Sequence, residues 1–118
     1  MIKLTLPYPP TINHYYGRNG NRSFIKPRGK QYRVDVACIM LQNRVKPLSG
    51  VLQVVINAYM PDKRKRDADN ILKSVLDALH KGDCKCYEDD SQIEDLRIIK
   101  KGIDRPDGKI EIMIKEMK

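Results

Sequence analysis

Between residues 67 and 82 the chain carries a pattern that few folds can accommodate. Ala68, Ile71, Leu72, Val75, Leu76 and Leu79 recur at i, i+3 and i+4 without a gap. That spacing puts one apolar stripe on a helix that must lie against a core. Asp67 stands where an N-cap belongs, and Gly82 where the helix would stop. The opposite face presents Asp69, Asn70, Lys73, Asp77 and His80, read here as a polar face with His80 in solvent. Directly upstream, Val51 to Met60 alternates with period two. Leu52, Val54, Ile56 and Ala58 fall on one side, and Val55, Asn57 and Tyr59 on the other, until Pro61 ends the strand. A strand with a face to bury, followed by a helix with a stripe to bury, predicts a sheet covered by helices.

The rest of the chain fits that frame. Ile2 to Leu6 alternates as a strand and is ended by Pro7, Pro9 and Pro10. A helix is predicted from about Lys30 to Asn43, with Val36, Ala37, Met40 and Leu41 as its stripe and Cys38 as a small core residue. Ile93 to Lys100 and Lys109 to Met117 read as strands, and Asp107-Gly108 between them as a hairpin turn. The expected fold is an α+β two-layer sandwich. It has a mixed sheet of about four strands, two main helices and the order β-α-β-α-β-β. At 118 residues the chain is expected to form a single domain over residues 1–118. Thr11 to Gly29 reads as a long loop. It interleaves Arg18, Arg22, Lys26 and Arg28 with Tyr15, Tyr16 and Phe24. Such a loop suits a sugar-phosphate backbone or a splayed base, and it suits plain solvation as well.

Charge narrows the class of partner. The net charge is +8, and for so small a chain this favours an acidic partner, most commonly nucleic acid. No apolar run approaches the ~20 residues of a membrane span. The start, MIKLTLPYPP, has no apolar core before a small-residue cleavage site, so a cytoplasmic setting is expected. Three cysteines, Cys38, Cys84 and Cys86, are an odd count that argues against a disulfide framework. Cys84, Cys86 and His80 offer at most part of a zinc site, which needs four ligands.

Chemistry concentrates in one stretch. Lys63, Arg64, Lys65 and Arg66 run into Asp67 and Asp69, with Lys73 four residues after Asp69. Clustered cations hold phosphates, and carboxylates recruit hard cations such as Mg²⁺, which take oxygen ligands. At a helix start Asp67 lies outside the helical conformation, so both carboxylates can converge on one ion. The bland alternative is that Asp67 caps the helix and Asp69 pairs with Lys73. A second acidic group, Glu88, Asp89 and Asp90, precedes the Ile93 strand and could meet the first across a cleft, or be a solvated turn. There is no Walker-type phosphate loop.

Taken together, the motifs resemble the RusA family of Holliday junction resolvases. Leu6-Pro7-Tyr8-Pro9-Pro10 followed by Asn13, Tyr15 and Tyr16 is similar to that family's opening, and so are Gly29, Tyr32 and Arg33. More specific are Arg66-Asp67-Ala68-Asp69-Asn70, Lys73, Asp77-Ala78-Leu79, and Asp89-Asp90-Ser91-Gln92-Ile93. The resemblance implies a homodimeric, Mg²⁺-dependent endonuclease that cuts four-way DNA junctions by paired nicks, with Mn²⁺ as the alternative ion. It implies Asp67, Asp69 and Asp90 as catalytic, metal-binding carboxylates, Lys73 as the catalytic lysine and Arg66 as a basic neighbour. The connection after His80 is slightly longer than the family pattern, which keeps Glu88 and Asp89 as substitutes for Asp90. Lys63, Arg64, Lys65, Arg66, Arg18, Arg22, Lys26 and Arg28 are the expected DNA contacts.

Overall fold

A computed structural model describes residues 1–117. The elements are β1 (Ile2–Leu6), α1 (Ile12–Tyr15), β2 (Tyr16–Asn19), β3 (Arg22–Ile25), α2 (Pro27–Gln42), β4 (Val51–Met60), α3 (Ala68–His80), β5 (Ile93–Ile103) and β6 (Lys109–Met117). A 3₁₀ turn at Asp90–Gln92 leads into β5. The main sheet has the order β1-β6-β4-β5. β4 pairs with β5 in parallel and with β6 antiparallel, and β6 pairs antiparallel with β1. This is the expected mixed sheet covered by helices.

Register explains the core. Val54, Ile56 and Ala58 of β4 stand opposite Ile114, Ile112 and Ile110 of β6. Ile112 and Ile110 in turn stand opposite Leu4 and Leu6 of β1. Three strands therefore line up their apolar rows on one face, as the pleat requires. Onto that cluster pack Val36 and Met40 of α2, and Ile71, Val75 and Leu79 of α3. No helix of the described residues is long and apolar enough to cross a membrane.

Several local expectations change. The segment from Thr11 to Gly29 is not a loop. It holds α1, the β2–β3 hairpin and the first turn of α2. Arg18-Asn19-Gly20-Asn21-Arg22 makes the tight turn, with Gly20 at a φ of 64°. A two-residue hairpin loop wants a positive φ there, which glycine adopts without a steric penalty. α2 begins at Pro27, whose fixed φ suits a first helical position. Its buried stripe is Tyr32, Val36 and Met40, so Leu41 is 66% exposed and Cys38 points to solvent rather than into the core.

The Asp107-Gly108 turn does not make a hairpin of neighbouring strands. β5 and β6 flank β4 on opposite sides, because β5 returns parallel to β4 after α3 and leaves the other edge of β4 to β6. The 104–108 connection crosses the end of β4, tied by Asp104 N–H to Met60 O at 2.8 Å. Gly108 has a φ of 71°, and a Cβ there would lie 2.6 Å from Tyr59 O.

Candidate active site and nucleic-acid interface

The start of α3 sets out both carboxylates. Asp67 is the N-cap residue, with extended φ/ψ of −84° and 134°, yet its side chain makes no capping hydrogen bond. Asp69 lies in the first turn and is exposed. Lys73 does not turn back to Asp69. Its ammonium lies 3.6 Å from Asp77, one turn further on, and 4.8 Å above the Tyr16 ring. Both bland roles are therefore unfilled: no cap from Asp67 and no Asp69–Lys73 pair. The two carboxylates remain uncommitted among the described residues, an oxygen-donor set that fits a hard divalent cation.

Upstream, the basic run is divided by a residue that sequence reasoning passed over. Asp62 accepts from Arg66 Nη1 at 2.7 Å and from Arg64 Nη2 at 3.0 Å. Hydrogen bonds from Arg66, and then from Arg64, hold the Asp62 carboxyl far below the usual range. Arg66 also lies 5.6 Å over the Tyr8 ring. It is a fixed part of the wall rather than a mobile cation. Lys63 and Lys65 are exposed and make no ion pair among the described residues. The spacing of Asp62 four residues before Arg66 was the available signal.

Asp77 is the second hub. It is 5% exposed, and its carboxylate accepts from the Tyr16 hydroxyl. Lys73, Lys81 at 3.5 Å and Arg33 at 3.9 Å surround it. Burial alone would raise its pKa, but the Tyr16 hydrogen bond and the charges of Lys81 and Lys73 outweigh burial and lower it. The polar face of α3 is thus divided: Asp69, Asn70 and Lys73 are exposed, whereas Asp77 and His80 are covered. His80 is buried, donates from Nδ1 to Leu76 O at 2.7 Å, and stacks on Tyr87 with ring centres 5.0 Å apart.

The second acidic group separates into three jobs. Glu88 pairs with Lys85 at 3.0 Å. Asp89 caps the 3₁₀ turn by accepting from Ser91 N–H at 3.0 Å, while Gln92 accepts from Asp89 N–H. Asp90 is exposed, accepts from Tyr87 Oη at 2.8 Å and lies 3.4 Å from His80 Nδ1. Asp77, His80 and Asp90 bring ligand-type atoms within 4.8 Å of one another. That trio suits a cation poorly, because three basic side chains already crowd Asp77 and His80 Nδ1 is committed to a carbonyl. Asp90 does not join Asp67 and Asp69 within one chain. The eight residues from Asp69 to Asp77 are about 12 Å of helix at ~1.5 Å per residue. Cys84, Cys86 and His80, at most part of a zinc site by sequence, form no ligand group among the described residues: Cys86 is buried against Met40, with sulfurs 3.5 Å apart, and its thiol is pushed up to about 12, by burial first.

The remaining predicted DNA contacts fall on two surfaces. Arg18 and Arg22 are exposed on the hairpin. Lys26 donates to Asn13 O at 2.7 Å, and Arg28 donates to His14 Nδ1 at 3.0 Å. Arg28, His14, Arg64, Lys65 and Arg66 line a cleft of about 630 Å³ between the proline-rich segment after β1, the first half of α2 and the basic run. Arg18, Phe24, Lys73 and Lys81 line a second groove beside the hairpin.

A basic cleft, and beside it a smaller cavity that shares Tyr8, Lys65 and Arg66 with it and is lined by the uncommitted Asp67, are the equipment of a protein that handles polyanions. The chain belongs to the endodeoxyribonuclease RusA family, whose model matches residues 7–115. It is 40% identical over 117 residues to the crossover junction endodeoxyribonuclease of Enterobacteria phage HK97, covering 98% of this chain and 94% of that protein. It is 37% identical to the enzyme of that name from Enterobacteria phage 82, and 36% identical to that from Escherichia coli K12. Each of these two matches spans 115 residues, 97% of this chain and 93% of the relative.

Proposed function

We propose that the chain is a Mg²⁺-dependent, structure-specific endodeoxyribonuclease that resolves four-way DNA junctions in recombination and repair. Mn²⁺ is the alternative ion, the setting is cytoplasmic, and one domain spans residues 1–118. The observation that carries the reading is the start of α3, where Asp67 and Asp69 keep their carboxylates free of cap and ion pair, Asp67 lining a cavity whose rim includes Lys65 and Arg66. The curated relatives, named as crossover junction endodeoxyribonucleases across nearly their whole length, support it.

In this reading Asp67 and Asp69 hold the ion from one side. The ion, when bound, supplies Lewis-acid stabilisation of charge on the phosphoryl oxygens. Lys73, held by Asp77 and Tyr16 and half exposed, would add positive charge toward a phosphate lying along α3. Lys63 and Lys65, with Arg18, Arg22 and Arg28, grip flanking phosphates and so fix the register of the DNA.

We infer a dimer from the place of Asp90, if it joins Asp67 and Asp69 in one site. In its own chain Asp90 sits beside Asp77, two turns from Asp69. A three-carboxylate site would then take Asp67 and Asp69 from one chain and Asp90 from a second copy. β5 is an edge strand with Leu96, Ile99 and Ile103 each 40–44% exposed, a ready surface for a second copy. Two sites related by a two-fold axis match a substrate of near two-fold symmetry.

The direct test is cleavage of a labelled four-way junction with and without Mg²⁺, beside linear duplex and a flap. Paired nicks on the junction alone, only with metal, are the expected result. Tight junction binding without cleavage in Mg²⁺ or Mn²⁺ would reduce the chain to a DNA-binding module.

A further inference from the structure

A small cavity of about 210 Å³ opens beside Asp67, between the proline-rich segment after β1 and the first turn of α3. Its walls are flat and apolar: the Tyr8 ring, Pro9 and Pro10, with buried Ile71 as floor. Its rim is polar and carries Asn70, Thr11, Lys65 and Arg66. The walls are rigid before any ligand arrives. Arg66 is locked by Asp62 and lies over Tyr8, and the Tyr8 hydroxyl reaches Met60 Sδ at 3.5 Å. Thr11 is engaged with His14 at 3.1 Å. The Asn70 side chain, in contrast, is exposed and makes no hydrogen bond among the described residues.

We propose that this cavity takes one unstacked nucleobase of the cleaved strand, next to the phosphate held at Asp67 and Asp69, and that Asn70 reads its edge. The chemistry fits this occupant. A splayed base is recognised by stacking on aromatic or flat apolar side chains and by hydrogen bonds at its edge. A side-chain amide offers donor and acceptor together, which a phosphate does not need and a base edge does. The volume lies below the roughly 300 Å³ at which pockets for drug-sized ligands begin, so it suits a ring system rather than a whole nucleotide. Asp67 lines the same cavity, so an occupant there is a neighbour of the reacting bond. The consequence is a nucleotide preference at the cut, set by residues that do not touch the reacting atoms.

The inference rests on the nuclease reading, and its test separates the two. Junctions whose branch point can migrate are cut in Mg²⁺ and the cut positions mapped for wild type, Asn70→Ala, Tyr8→Ala and Tyr8→Phe. In parallel, junctions carrying 2-aminopurine next to the mapped cut are titrated without metal. Wild type should cut with a nucleotide preference and raise the fluorescence of the unstacked probe. Asn70→Ala should shrink the ratio of best to worst nucleotide on the order of tenfold, the discrimination typical of one well-placed base contact. Tyr8→Ala should lose the fluorescence rise, and Tyr8→Phe should keep it. An unchanged preference in Asn70→Ala, or no fluorescence rise in wild type, overturns the proposal while leaving junction cleavage intact. Cleavage failing in wild type while fluorescence rises would overturn the nuclease reading and spare the cavity. If the known-cut position is absent for that reason, the probe is placed at each of the four nucleotides flanking the branch.

Discussion

At the scale of single residues, the informative property is what a charged side chain is not doing. Asp67 has the position of a cap without the hydrogen bond, and Asp69 has a lysine at i+4 that looks elsewhere. Neither carboxylate makes a cap or an ion pair, so removing one charge should cost no more than the helix-dipole contribution, under about 1 kcal/mol. Asp69→Asn is expected to keep its melting temperature within a few degrees and its junction affinity within about twofold. Its cleavage should fall at least about a hundredfold, which corresponds to losing roughly 3 kcal/mol of transition-state stabilisation. Full cleavage by that variant would remove Asp69 from the site. Asp77 is the contrary case. Removing its charge leaves Lys73, Lys81 and Arg33 facing one another, and the two lysines, half exposed, can swing into water. The expected loss for Asp77→Asn is therefore about 1–3 kcal/mol, below that of a fully buried pair. The sign with pH is fixed by the lowered pKa of Asp77. A depressed carboxyl stabilises the folded state above its unfolded pKa, ~3.9, and that contribution is lost as pH falls through the folded value. The gap in melting temperature between wild type and Asp77→Asn should be constant from about pH 5 to 7 and close below about pH 4. Asp62, Asp89 and Asp95 also have lowered values, but both proteins carry them, so they drop out of the difference. A gap that widens in acid would contradict the arrangement.

At the scale of elements, the 104–108 connection shows how a local signal can be right about the chain and wrong about the sheet. Asp107-Gly108 is a turn, and Gly108 has the positive φ that such a turn uses. Its strands are not neighbours, and the turn spans the end of β4 with the Tyr59 carbonyl against the Gly108 α-carbon. Gly108→Ala is expected to cost about 2–4 kcal/mol, from backbone strain at φ 71° plus a clash with main chain that cannot rotate away. Denaturant unfolding reads this directly; a loss below about 0.5 kcal/mol would mean that the connection adapts easily. The reason the sequence did not reveal this is that strand order depends on long-range pairing, whereas alternation reports only which face is buried. β4 and α3 were legible because their patterns are long and one-sided. The β2–β3 hairpin was not, since four-residue strands rich in Arg, Asn and Ser offer no apolar alternation, and only Gly20-Asn21 marked the turn. In the site the same division holds. The carboxylate and cation types were legible, but Asp62 and the roles of Tyr16 and Arg33 around Asp77 were not, because each acts through a partner distant in sequence or hidden inside a charge run.

At the scale of the whole molecule, the question is how many chains make one site. Within a protomer, Asp90 is tied to Tyr87 and His80 near the far end of α3, while Asp67 and Asp69 open its near end. If three carboxylates act together, they come from two chains, and mixing crippled protomers has a definite arithmetic. Asp69→Asn and Asp90→Asn homodimers should each be inactive. In their heterodimer, one site combines both lesions, and the other combines intact Asp67 and Asp69 with an intact Asp90 from the second chain. Co-refolded mixtures should therefore regain single nicks on a four-way junction, with paired nicks absent. If Asp90 acts in its own chain, every site in the heterodimer carries one lesion and no activity returns. The outcome is read as nicks per junction on a denaturing gel, so it separates shared sites from unshared ones without any assumption about the number of ions. A charge placed on the exposed edge of β5, as in Ile99→Glu, should abolish the rescue by keeping the chains apart, and sedimentation would show the monomer. An Ile99→Glu variant that stays dimeric and is still rescued would place the interface elsewhere on the molecule and leave β5 as an ordinary edge.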